Sequence, residues 1–227
     1  MSELQENLTR IRSRIDQACE RSGRQPDSVR LMAVSKNQPP ERVAEAASAG
    51  LTLFGENRIQ DAKVKIPLCP GQLEWHFIGH LQTNKIRKVV SRFALFHGVD
   101  NENLAAQINR IAGELGVTAN VLLEVNVSGE ESKFGFAPEN LPAALEKLAP
   151  LPFLRIRGLM TMAPYSDNPD EARPFFAKLR ELRNRLASQT GLPLSELSMG
   201  MSGDFEQGIA EGATIVRVGS AIFGSRG

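Results

Sequence analysis

The chain has little cysteine and no pattern that would put it to use. Cys19 and Cys69 are the only two in 227 residues, and they form no C-x-x-C motif. That sets aside a disulfide framework and a structural zinc site, and it favours a reducing, cytoplasmic compartment. Charge of one sign is also scarce. The net charge is +1, and no long charged run breaks the sequence, so nothing resembles an electrostatic footprint for nucleic acid or an anionic membrane. No apolar run is long enough to span a bilayer. Residues 1–23 mix acids with bases and lack an apolar central segment, which argues against a targeting peptide. No H-E-x-x-H or Asp-rich loop suggests a metal. There is one tyrosine, Tyr165.

What is present is ordinary globular composition, 41% hydrophobic and 23% charged, enough to bury a sizeable core. Leu4, Leu8, Ile11, Ile15 and Cys19 recur at helical spacing, and Ser2 with Gln5 fits a capping box, so an amphipathic helix opens the chain. After it, short apolar runs alternate with amphipathic stretches. The spacing predicts strands over Val29–Val34, Thr52–Phe54, Leu73–Ile78, Ala94–Gly98, Thr118–Val127, Leu154–Met160, Glu196–Met199 and Thr214–Val218. Helices are expected over Glu41–Gly50, Arg58–Lys65, Gln82–Ser91, Asn103–Leu115, Pro138–Leu148, Pro169–Ser188 and Phe205–Glu211, with a short turn from Ser220. This rhythm argues for an α/β protein, a closed (β/α)8 TIM barrel with an extra N-terminal helix. A doubly wound sheet would show a glycine-rich turn after its first strand, where this chain has Ser-Lys-Asn-Gln-Pro-Pro. Proline-rich points fall at connections rather than in a linker, so one domain over residues 1–227 is expected.

Lys36 follows the apolar run Leu31-Met32-Ala33-Val34 and Ser35. A lysine so placed is open to desolvation, which favours the neutral, nucleophilic amine that condenses with aldehydes. A snorkelling surface lysine is the plainer alternative. At the other end of the chain, Met199-Gly200-Met201-Ser202-Gly203-Asp204 follows strand seven and Gly219-Ser220-Ala221 follows strand eight. Barrels commonly bind phosphate in these two loops. Arg217 interrupts the apolar strand Thr214–Val218 and needs a partner, either a carboxylate such as Glu56 or Glu124 or an acceptor on a ligand. Barrel closure makes strands one and eight neighbours, which gathers Lys36, Arg217, Ser202 and Ser220 around one pocket. An amine, a phosphate cradle and an arginine facing a ring nitrogen together suit pyridoxal 5′-phosphate (PLP), held as a Schiff base on Lys36.

LMAVSK at 31–36, FGEN at 54–57, EWHFIGHLQTNK at 74–85, RGLMTM at 157–162, SMGMSGD at 198–204 and VRVGSAIFG at 216–224 follow in order. Through them the chain resembles the pyridoxal phosphate homeostasis proteins, which have the alanine-racemase-like barrel of fold type III PLP proteins. The resemblance spans nearly the whole chain. It implies a cofactor on Lys36, phosphate contacts from Ser202, Gly219 and Ser220, Arg217 at the ring nitrogen and Asn57 on the cofactor side, with Gly203 also among the cofactor-binding residues. Many members carry a second acid where this chain has Gly203. The resemblance also implies a role in vitamin B6 homeostasis and in amino- and keto-acid balance, with PLP-requiring apo-enzymes as candidate recipients.

An arginine at the ring nitrogen keeps it unprotonated, so the ring is a weak electron sink. Racemases of similar fold use a lysine and a tyrosine as opposed bases, the tyrosine on a second domain. Tyr165 lies in a loop after strand six, and the sequence ends soon after the last barrel element. The expected protein is therefore a PLP carrier, not a catalyst, and a monomer is expected because no dedicated dimer helix stands out. An amino-acid racemase or lyase is the alternative, and an aldolase of phosphorylated sugars is a third reading. His76 and His80 are expected to be structural, although His80 stands near the pocket, and His97 has no evident Ser or Cys partner. Residues 129–135 read as a polar loop over the barrel top, whose Lys133 is either a solvated lysine or a second amine for the aldehyde.

Overall fold

The computed structural model of the chain describes residues 2–130 and 133–224. The strands are β1 Arg30–Val34, β2 Leu53–Glu56, β3 Glu74–Phe77, β4 Leu95–Val99, β5 Ala119–Glu124, β6 Leu154–Met160, β7 Glu196–Met201 and β8 Ile215–Val218. They pair in chain order and close into a barrel. The closing seam is parallel, with Met32 opposite Arg217 and Ala33 opposite Val218. Around it lie helices α1 Glu3–Arg21, α2 Pro40–Ser48, α3 Ile59–Lys65, α4 Glu102–Glu114, α5 Leu141–Leu148, α6 Arg173–Thr190, α7 Phe205–Ala210 and α8 Ser220–Phe223. The α/β class, the eight-stranded barrel and the additional N-terminal helix are as the sequence indicates.

Alternation along each strand divides the core in two. Out-facing residues such as Phe54, Phe96 and Leu123 pack beneath the helices in one large apolar layer. Each fully buried Phe or Leu there contributes about 1.5–3 kcal/mol relative to exposure. In-facing Met32, Leu53, Leu95, Leu122, Met160 and Ile215 fill the barrel itself. Gly55 leaves room for Met32 on that inner face, where a β-carbon would stand 2.5 Å from Met32 Sδ. The predicted capping box of α1 is present, with Ser2 and Gln5 bonded reciprocally. The same helix presents Leu4, Leu8, Ile11, Ile15 and Cys19 to the core.

Three expectations shift. The segment predicted as a helix over 82–91 forms a 3-10 helix, Thr83–Lys88, in which Gln82 makes no capping bond and Ile86 alone is buried. Three basic residues, Lys85, Arg87 and Lys88, flank Ile86 within it, and Val89 and Val90 just beyond it are buried without extending the helix. Strand β7 runs on to Met201, so the loop after it begins at Ser202 rather than Gly200. Strand β5 ends at Glu124, beyond which Val125 forms an isolated bridge with Phe136.

A buried ion pair ties the tops of β1 and β2 to α3. Lys65 Nζ lies 2.6 Å from Glu56 Oε1 and donates to the Ser35 carbonyl at 2.7 Å. Ser35 Oγ donates to the same Glu56 oxygen at 2.7 Å. Truncating one partner strands the other in the core. Lys65→Met is expected to lower unfolding stability by about 3–5 kcal/mol in urea titrations, with most of the loss recovered in Lys65→Met/Glu56→Leu. A single variant as stable as the parent would show that the pair contributes nothing.

Candidate functional site

The barrel top carries a cavity of about 500 Å³. Lys36, Asn57, Ser202, Gly203, Arg217, Gly219 and Ser220 all line it. Every predicted site residue is therefore brought together, from four strand ends at opposite ends of the sequence.

Lys36 differs from expectation in one respect: it is exposed, not buried. Strand β1 ends at Val34. The Ser35 carbonyl then accepts from the Gln38 N–H at 3.0 Å, closing a turn in which Asn37 adopts φ 62°. Asn tolerates that left-handed conformation better than most residues. The turn lifts Lys36 clear of the apolar run onto the cavity wall, so burial of this side chain does not supply the activation inferred from sequence.

Arg217 is buried at 5% exposure, and its partners are neither of the carboxylates considered above. One terminal nitrogen donates to Ser198 Oγ at 2.6 Å and the other to the Thr161 carbonyl at 2.9 Å. Glu56 is taken up by Lys65 and Ser35. Glu124 acts on Arg217 only through charge, as does Asp204. Burial lowers the Arg217 pKa to about 10 against the pull of those two acids, which leaves the guanidinium charged at neutral pH. Inverse effects hold for Glu124, which burial and the nearby Asp100 raise to about 7.

On the other side of the cavity, Ser202 Oγ accepts from the Gly219 N–H at 3.2 Å and the Ala221 N–H at 3.5 Å. A hydroxyl thus already occupies backbone donors that an anionic oxygen would satisfy. A β-carbon at Gly219 would crowd the Val34 carbonyl at 3.3 Å, whereas one at Gly203 would meet nothing within 4 Å. A side chain at position 203 is therefore sterically admissible. Asn57 lines the cavity, and its Oδ1 is buried without a hydrogen-bond partner. Gly79 packs directly against the Asn57 backbone, since a β-carbon there would lie 2.2 Å from the Asn57 carbonyl oxygen.

His80 pairs with Asp100 at 3.1 Å and stacks on Phe134 with ring centroids 4.5 Å apart. Lys133 is paired with Glu130 at 2.9 Å and lines a neighbouring cavity of about 290 Å³ with Glu124, Phe134, Met162 and Met201. Of the 129–135 segment, Glu131 and Ser132 lie outside the described residues. Tyr165 is 92% exposed and its hydroxyl donates to Asp167 at 2.9 Å. Among the described residues there is no cluster suited to a metal ion, and no helix is long and apolar enough to cross a membrane.

Sequence reasoning missed two members of this environment, Ser198 and Thr161. It also left His97 without a partner, whereas His97 Nδ1 lies 2.9 Å from Ser198 Oγ. In-facing alternation was the available signal: His97 lies two residues beyond in-facing Leu95, and Ser198 is aligned with Ile215 across β7 and β8.

A closed parallel barrel that joins a lysine after its first strand to an arginine on its last defines the class of alanine-racemase-type barrels. The family model described as alanine racemase, N-terminal domain, matches residues 6–227. The chain belongs to the pyridoxal phosphate homeostasis protein family. A protein of that name from Aquifex aeolicus is 47% identical over 222 residues, covering 97% of each chain. The structure of PipY from Synechococcus elongatus with PLP bound is 41% identical, with a TM-score of 0.86 over 98% of this chain and 100% of that one. Alanine racemase from Clostridium difficile shares the fold at 16% identity, with a TM-score of 0.77 over all of this chain and 57% of its own.

Glu124 generates a pH-dependent prediction. Its folded pKa of about 7 lies above the ordinary 4.5, so folding favours the protonated acid. Stability is then greatest below pH ~4.5 and falls as pH rises towards 7, by up to about 3 kcal/mol. Glu124→Gln is expected to raise the melting temperature above pH 7, by about 2–4 °C per kcal/mol recovered, and to change it little near pH 4. A gain of equal size at both pH values would refute the assignment.

Proposed function

We propose that this protein binds pyridoxal 5′-phosphate in the barrel-top cavity, held as a Schiff base on Lys36, and serves as a carrier that buffers or delivers it. The convergence of Lys36, Arg217 and the Ser202 and Ser220 turns on one cavity carries this reading. The residues fit the group. Asn57 Oδ1 is a buried acceptor without a donor, and the Gly219 and Ala221 N–H groups are donors that hold only a neutral hydroxyl.

In this reading Lys36 supplies the amine, and its exposure on the wall leaves it reachable by an incoming aldehyde. Ser202, Gly203, Gly219 and Ser220 hold the phosphate through hydroxyl and backbone donors. Arg217 donates to the ring nitrogen, and Asn57 accepts from a ring substituent. A bound pyridoxal ring supplies an electrophilic carbon and an electron-withdrawing system. Arg217 limits the second property, because a fixed cation at the nitrogen disfavours its protonation.

A carrier role is supported by the names of the relatives and by the position of Tyr165. That side chain is exposed and engaged by Asp167, and it is absent from the cavity lining. A homeostatic role implies exchange of the cofactor with apo-enzymes that require it and, through them, an influence on amino- and keto-acid pools. One observation favours the alternative of a racemase or lyase. Glu124, with its raised pKa, lines the adjoining cavity and shares Met162 and Met201 with the main one.

PLP added to the purified protein is expected to give a visible band that borohydride bleaches, and Lys36→Ala should abolish it. Mass spectrometry after reduction should place the adduct on Lys36. A wild-type protein that acquires no chromophore sinks the proposal and returns the sugar-phosphate reading. Amino acids should show no turnover, and turnover that disappears in Lys36→Ala would establish the enzyme instead.

A further inference from the structure

Below the cavity, the barrel interior holds a continuous line of polar groups. Glu74 Oε1 lies 2.7 Å from His76 Nε2, His76 Nδ1 lies 3.0 Å from His97 Nε2, and His97 Nδ1 lies 2.9 Å from Ser198 Oγ. Arg217 donates to that same Ser198 oxygen at 2.6 Å. The line starts at the N-terminal rim of the barrel, where Arg30 holds the other Glu74 oxygen at 2.6 Å, and ends on the cavity wall. His76, His97 and Ser198 are exposed by no more than 1%. Buried polar groups of this kind must be satisfied or they destabilise the core.

The direction of each bond follows from chemistry. A guanidinium has no acceptor, so Ser198 Oγ accepts from Arg217. Its hydroxyl hydrogen is then free for His97 Nδ1. The bonded His76 holds the Glu74 carboxyl down at about 2, so that end of the line is an acceptor at neutral pH. Burial disfavours the charged form of both rings. With neutral rings one arrangement satisfies every atom: Arg217 donates to Ser198, Ser198 to His97 Nδ1, His97 Nε2–H to His76 Nδ1, and His76 Nε2–H to Glu74.

We propose that His76, His97 and Ser198 are positioning residues that hold Arg217 towards the cavity through this one-way line of hydrogen bonds, anchored on the Glu74 carboxylate. The proposal deepens the reading that Arg217 serves a bound PLP ring and rests on it. It also gives the line an acid-sensitive state. One further proton makes His76 a cation, which donates through Nδ1. His97 then accepts at Nε2 and donates through Nδ1, and Ser198 Oγ meets two donors instead of one. The charges around His76 are Glu74 on its own strand, Arg30 on β1 and Glu196 on β7. His97 faces His76, Arg217 and Arg30, and Arg217 faces Asp204 and Glu124.

Long-range 1H–15N NMR of the full, ligand-free chain at neutral pH reads both tautomers without any substitution. Both rings are expected to be neutral and protonated at Nε2; either ring protonated at Nδ1 overturns the line. Ser198→Ala, which is close to isosteric, tests positioning. PLP is expected to bind it about tenfold more weakly, the effect of losing one hydrogen bond to a charged group, with a displaced visible band. Ser198→Thr should restore both values. An unchanged affinity and band in Ser198→Ala overturn the proposal, as does a loss of stability with the band unmoved. A wild-type protein that takes up no PLP defeats the function proposed above, and the tautomers then decide the line alone.

Discussion

Closure of the barrel between its first and last strands is the constraint on which the site depends. The pairing of Met32 with Arg217 and of Ala33 with Val218 fixes the distance between groups separated by most of the chain. Parallel strands place all their C-terminal ends on one rim. The turn at Lys36 and the turns at Ser202 and Gly219 therefore meet with no further device. Each strand need only end where its apolar alternation ends.

The interior of the same barrel mixes polar side chains with apolar ones. Met32, Leu53, Leu95, Leu122, Met160 and Ile215 form its apolar part. Beside them run the imidazoles and Ser198, and with them a guanidinium whose direct partners are a hydroxyl and a carbonyl. A buried cation without a bonded carboxylate is costly unless its hydrogen bonds are good. Holding it with neutral acceptors keeps the charge available to a ligand instead of cancelling it. The two nearest acids, Glu124 and Asp204, temper the field without forming a bond.

Much of this was legible in the sequence, and the parts that were not share a cause. Strand order, the opening helix and the residues Lys36, Ser202, Arg217, Gly219 and Ser220 could be placed because each is tied to a strand end, and strand ends follow from local patterning. Asn57 came from resemblance; its orphaned oxygen becomes visible only when the fold buries it. The Ser198 to His97 contact spans 101 positions and crosses the barrel between strands that are not neighbours, so no local pattern encodes it. The exposure of Lys36 was misjudged because the turn from Ser35 to Gln38, and not the apolar run before it, sets where that side chain points. The segment at 83–88 shows the same limit: its apolar spacing buries Ile86, Val89 and Val90, yet the backbone winds as a 3-10 helix.

One further consequence comes from the second lysine at this turn. Lys65 Nζ is bonded to the carbonyl of Ser35, the residue that precedes Lys36, so two amines serve one short stretch of backbone. Lys65 is 5% exposed and engaged by two acceptors, while its neighbour opens onto the cavity. The fold thereby builds chemical selectivity by access alone: a carbonyl reagent arriving from solvent encounters one of these amines and is shut out from the other, which acts as a structural clamp.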